Sequence, residues 1–189
     1  MPVNSRIIHF SPSQNHPFVP LFRRKLLKDI ADNKEKRGGQ ILNVDTSFIM
    51  RRRERQIRFE RSVLRELSLE KLKKGFQIHF GPLFIHGRFI LGNAIEEGCY
   101  DVAVEAYLSG SRYSRLSYYG EPLESLKSKS FSERRSLAKT LEEFILYWGN
   151  MYEEGKYNEA IPACCENFVD YWWEEGLIKG KIKYKMKIH

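Results

Sequence analysis

Residues 130–152 read SFSERRSLAKTLEEFILYWGNMY. Leu137, Leu141, Phe144, Trp148 and Tyr152 recur at intervals of three or four, the spacing that lines side chains up along one face of an α-helix. Ser130, with Glu133 three residues later, fits a capping box and predicts the start of that helix. On the C-terminal side, Asn158 is placed to cap a further helix, with Pro162 in its first turn and Ile161, Cys165, Phe168 and Trp172 as its apolar stripe. On the N-terminal side, Gly120-Glu121-Pro122 ends an earlier unit, in which Asp101 is expected to cap Val102 to about Tyr113 and Val104, Tyr107 and Leu108 to face inward.

Further from this centre the signals are more mixed. Gly75, Gly81, Pro82, Gly87 and Gly92 predict short helices and turns. Phe48 to Leu67 reads as a helix with Ile57, Val63, Leu64 and Leu67 on its apolar side, and Ser68 as the N-cap of Leu69 to about Phe76. Past Gly176 and Gly180 the period changes to two. Lys181, Lys183, Lys185 and Lys187 alternate with Ile182, Tyr184, Met186 and Ile188, which favours a strand paired with Val3–Phe10 or Gln40–Val44; a prolonged last helix or a loose tail are the other readings. The first 40 residues read as an appendage with one basic amphipathic helix, in which Leu21, Phe22, Leu26, Leu27 and Ile30 lie opposite Arg23, Arg24, Lys25 and Lys28. The expectation is a mainly α protein: an extension over 1–40, then a single helical domain over 41–189 of about five to six helices, with a lysine-rich tail and a short C-terminal strand as an option.

Composition narrows the function classes. With 42% hydrophobic and 13% aromatic residues the chain can build a core. Pro82 to Ile95, the longest apolar stretch, is interrupted by His86, Arg88 and Asn93 and falls short of the roughly 20 residues a membrane span needs. Met1 to Phe10 lacks the apolar run of a signal peptide. Cys99, Cys164 and Cys165 are odd in number and two are adjacent, so they read as reduced thiols of a cytoplasmic protein and not as a disulfide framework.

The net charge of +8 is segregated. Residues 1–74 hold 18 Lys or Arg against 8 Asp or Glu, net +10; residues 75–176 hold 9 against 16, net −7; residues 177–189 hold five Lys and no acid. Such ends either fold back on the acidic middle or meet a polyanion, where each cation that neutralises a phosphate releases a counterion. Arg51, Arg52, Arg53, Arg55, Arg58 and Arg61 make the most basic stretch, and Lys181, Lys183 and Lys185 continue it in the tail.

Catalytic motifs are missing from the sequence: no serine elbow, no phosphate-cradling glycine loop, no paired-cysteine motif. Glu97, Asp101 and Glu105, four apart, would line up on a continuous helix. Paired with Arg112 and Arg115, or on a plain solvated face, they are structural; with His86 they would suit a metal-dependent enzyme, the alternative function. Tyr107, Arg112, Tyr113, Arg115, Tyr118 and Tyr119 interleave aromatic and guanidinium groups, which serves base stacking, a protein contact or simple packing at the edge of a core.

That passage carries a resemblance. Gly98-Cys99-Tyr100-Asp101-Val102, Glu105-Ala106-Tyr107-Leu108-Ser109-Gly110-Ser111-Arg112-Tyr113-Ser114-Arg115, Tyr119-Gly120-Glu121 and Tyr171-Trp172-Trp173-Glu174-Glu175-Gly176 resemble the uncharacterised YbaK-type family of Bacillus and related spore-formers, over about Met50–His189. The resemblance implies a cytosolic bacterial protein and no established activity. The sequence reading is therefore a non-enzymatic helical protein without a cofactor, binding a protein or nucleic-acid partner through Arg51, Arg52, Arg53, Arg55, Arg58, Arg61, Arg112, Tyr113, Arg115, Lys181, Lys183 and Lys185.

Overall fold

A computed structural model of the 189-residue chain describes residues 43–84, 92–148 and 160–187. They form five helices: α1 (Asn43–Leu64), α2 (Leu69–Phe84), α3 (Gly92–Tyr118), α4 (Leu123–Trp148) and α5 (Ala160–Lys187). No strand occurs among the described residues. The amphipathic helix and strand partner read within residues 1–40 lie outside them.

Two helix boundaries follow local chemistry closely. Ser68 caps α2, its Oγ accepting the Lys71 backbone N–H at 3.3 Å. At the end of α3, Gly120 takes φ 94°, a left-handed conformation that costs glycine little. The N–H of Glu121 then reaches Leu116 O at 3.1 Å and that of Gly120 reaches Ser117 O at 3.2 Å, a Schellman closure followed by Pro122.

Three other expectations are corrected. Asp101 and Ser130 do not start helices, since α3 begins nine residues before Asp101 and α4 seven before Ser130. Ser130 is buried, and its hydroxyl donates to Leu126 O at 3.0 Å instead of capping an end. Nor do Gly75, Gly81 and Pro82 break the chain into short pieces, for α2 runs through all three. Gly75 is a seat for a ring: a Cβ there would lie 2.5 Å from Trp172 Cζ2. The alternation over 181–187 is not a strand, because α5 continues through Lys187. Gly180 packs on Ser114 and Tyr184 packs on Phe59 with ring centroids 4.9 Å apart, contacts one helical turn apart that hold the tail in helical phase.

The most extensive packing is between α3 and α5. Cys99 lies beside Cys165, Tyr107 beside Gly176 and Ser114 beside Gly180, so the two helices run parallel. The antiparallel α4 joins them, with Arg112 meeting Glu133 and Lys127 meeting Glu174. Small residues allow an unusually close crossing. A Cβ on Gly110 would sit 1.9 Å from the Trp173 carbonyl oxygen, and one on Gly176 would sit 1.9 Å from that of Tyr107. Around this seam Phe80, Ile95, Leu141, Phe168 and Trp172 are fully enclosed, each worth roughly 1.5–3 kcal/mol relative to exposure. Trp173 sits in a second, smaller cluster with Leu126 and Leu177.

Candidate functional site

Helix α1 is attached by its last turns only. Phe59 and Val63 are buried, whereas every side chain from Phe48 to Arg58 is exposed. Along that exposed arm the arginines contact their own helix. The Arg58 guanidinium stands 3.9 Å from Glu54, Arg55 Nε donates to Arg51 O at 3.3 Å, and Arg51 lies over the Phe48 ring at 5.7 Å. Such exposed pairs are worth little, so Arg51, Arg52, Arg53, Arg55, Arg58 and Arg61 present their charge outward.

The lysine tail lies against this helix. Phe59 packs on Tyr184, and Lys183 Nζ donates to Glu66 at 2.6 Å. With Phe59 level with Tyr184 and Glu66 close to both Lys179 and Lys183, α1 runs antiparallel to α5, and its arginine arm extends past the tail. Two basic segments more than 100 residues apart in sequence thus share one end of the bundle. Lys181 and Lys185 are exposed there, while Lys183 is engaged.

The Glu66 carboxyl is held below its usual value, first by the hydrogen bond from Lys183, then by that cation's charge and by Lys179 and Lys71. A depressed carboxylate contributes stability that is present above its unfolded pKa and lost as pH falls through the folded one. The Glu66–Lys183 pair is therefore intact at neutral pH and lost in acid, while the packing of Phe59 on Tyr184 does not depend on it. NMR titration should place Glu66 below the ordinary glutamate value of 4.5, and Lys183→Ala should move it back up. An unchanged midpoint in that variant would refute the pairing.

Of the tyrosine–arginine segment, most is structural. Arg112 bonds Glu133 at 3.1 Å, Glu60 at 3.4 Å and Glu105 at 3.5 Å, tying α1, α3 and α4 together. Tyr113 packs on Trp173 with centroids 5.7 Å apart, and burial raises its phenol. Tyr107 is buried and donates to Val63 O at 3.3 Å. Arg115, exposed over the Tyr119 ring at 5.9 Å, remains on the surface.

The carboxylate row is real but divided. Glu97 and Asp101 are exposed, whereas Glu105 is buried against Arg112. Desolvation first and Glu97 second raise the Asp101 carboxyl. Among the described residues no group of three or more His, Cys, Asp or Glu could hold a metal ion; His86 lies outside them. The three cysteines are free thiols, Cys99 and Cys165 buried and Cys164 half-buried, and burial raises all three, the opposite of a nucleophile's requirement.

Two buried features are missed by the sequence reading. Arg134 is enclosed by Asp170, Ser130 Oγ at 3.2 Å, Lys127 O at 3.0 Å and the Trp173 ring at 5.4 Å. Nothing in the spacing around Arg134 marks it. The α3–α5 seam does have a signal, in Gly110 with Ser114 and Gly176 with Gly180, each pair four apart.

Comparison with known proteins adds a family and no activity. Residues 42–189 match the family described as "Protein of unknown function (DUF2521)". The chain is similar to a protein of Bacillus subtilis (strain 168) named "Uncharacterized protein YbaK", 27% identical over 144 residues that cover 75% of this chain and 96% of that one. No solved structure matches. The resemblance read from the motifs holds, and the family match begins eight residues earlier, at 42 instead of 50.

Proposed function

This chain belongs to the DUF2521 family, whose description assigns no function, and from that premise we propose that it is a non-enzymatic protein that binds nucleic acid through the arginine arm of α1 and the lysine-rich end of α5. One observation supports the reading. The contacts of Phe59 with Tyr184 and of Lys183 with Glu66 bring α1 and the end of α5 together, which supports reading Arg51–Arg61 and Lys181–Lys185 as one cationic surface. Guanidinium forks suit phosphate oxygens, and the release of condensed counterions supplies the affinity. Arg115 extends the surface, and Arg112 holds α1 in place for it. Residues 1–40 we take as a further basic arm, and the free thiols fit a reducing cytoplasm. The metal-enzyme alternative would need Glu105, which is bound to Arg112.

Anisotropy titrations with duplex DNA, single-stranded RNA and anionic vesicles over a salt series test the proposal. Binding of a nucleic acid should weaken steeply with salt. Exchanging Arg51, Arg52, Arg53 and Arg55 for Ser should reduce the log–log slope by about 3–4 if each arginine neutralises one phosphate of a duplex. Absence of binding at low salt, a slope indifferent to the four substitutions, or binding to vesicles alone would each overturn it.

A further inference from the structure

Helix α5 carries a second surface. Tyr171, Ile178, Ile182 and Met186 are exposed by 40%, 50%, 41% and 66%. With Glu175 between the first two, they recur every three or four residues along one line of the helix. That line faces away from Trp173, Gly176, Leu177 and Gly180, which meet α3 and α4, and α2 borders its N-terminal end, where the Tyr171 ring lies 5.2 Å from that of His79. It spans 16 residues, about 24 Å at 1.5 Å per residue.

The order of charge along the stripe indicates what covers it. Glu175 lies toward its N-terminal end and Lys181 and Lys185 toward its C-terminal end, while Glu174 is already paired with Lys127. A parallel neighbour of the same kind would set lysine against lysine. An antiparallel one sets acid against base, so the stripe is complementary to itself turned through a two-fold axis, the commonest symmetry of soluble oligomers.

We propose that a second copy of this chain docks on this face, antiparallel, with the axis level with Gly180. Ile178 of one copy then faces Ile182 of the other, and Glu175 faces Lys185. Tyr171 and Met186 close the two ends, residue types favoured at interfaces. The two surfaces share Lys185, but mass is measured without any ligand, so failure of this inference and failure of the nucleic-acid reading are told apart.

Sedimentation velocity and light scattering on the full chain over a concentration series provide the test. The expected result is a mass rising from 22.4 kDa to twice that value. Ile178→Glu with Ile182→Glu should hold the protein at monomer mass with unchanged circular dichroism. Glu175→Lys alone should weaken self-association by about tenfold, and adding Lys185→Glu should restore it. The charge swap changes exposed or half-exposed positions only, so it remains informative even where the acidic pair lowers the melting temperature. A monomer at every concentration would overturn the proposal, as would a dimer indifferent to the acidic pair or one that the charge swap fails to restore.

Discussion

Gly176→Ala is expected to destabilise the protein by about 3 kcal/mol or more, a large fraction of the roughly 5–15 kcal/mol that holds a domain folded. Overpacking is usually relieved by a side chain that swings aside. Here the added methyl would meet the Tyr107 carbonyl carbon and oxygen, part of another helix, so α3 and α5 must separate as units. Separation would loosen Trp172, Phe168 and Cys165 along the same helix, all of which are buried. The melting temperature should fall by about 10 °C, read by far-ultraviolet circular dichroism. Gly81→Ala is the control. Its methyl would meet only the end of the Gln77 side chain at 3.4 Å, and alanine favours a helix by up to about 1 kcal/mol, so it should be neutral or stabilising. Equal losses at both positions would show that the seam is not close-packed.

Arg112→Ala is the second large effect. Removing this guanidinium leaves the buried Glu105 facing Glu60 and Glu133 without their shared cation. Breaking a fully buried pair costs about 3–5 kcal/mol; with Arg112 partly open to solvent, about 2–3 kcal/mol is expected. Adding Glu105→Gln should recover about 1 kcal/mol of it in a double-mutant cycle by urea unfolding, and full additivity would sink the hub. Arg112 is consequently a poor probe of partner binding, since its loss also shakes α1 loose. Arg115 is the clean one.

The apolar stripes were the most legible part of the chain. Leu137, Leu141 and Phe144 of α4 and Ile161, Cys165, Phe168 and Trp172 of α5 are all buried as their spacing requires. Helix starts were less so. A serine or aspartate at a plausible cap is a local signal worth about 1 kcal/mol, and burial of the preceding turns outweighs it at Ser130 and Asp101. Glycines misled for a related reason. Gly75, Gly176 and Gly180 lie inside helices with a ring, a neighbouring backbone or the Ser114 side chain in the space a Cβ would fill, a tertiary fact that a local reading takes for punctuation. At the basic surface the charges were visible and their meeting was not. The contact of Phe59 with Tyr184 depends on two aromatic residues that neither segment marks as special.

The arginine arm of α1 has a consequence in time as well as in space. From Phe48 to Arg58 no side chain is buried, so those turns are held by their own hydrogen bonds, and a short helix without tertiary support is marginal in water. Amide hydrogens there should exchange rapidly, while those around Gly110 and Gly176 should exchange only through global unfolding. The surface proposed to meet a partner would then be the least protected segment of the five helices. Part of any binding free energy goes into ordering it, and a partner would reveal itself first as slowed exchange over residues 48–58.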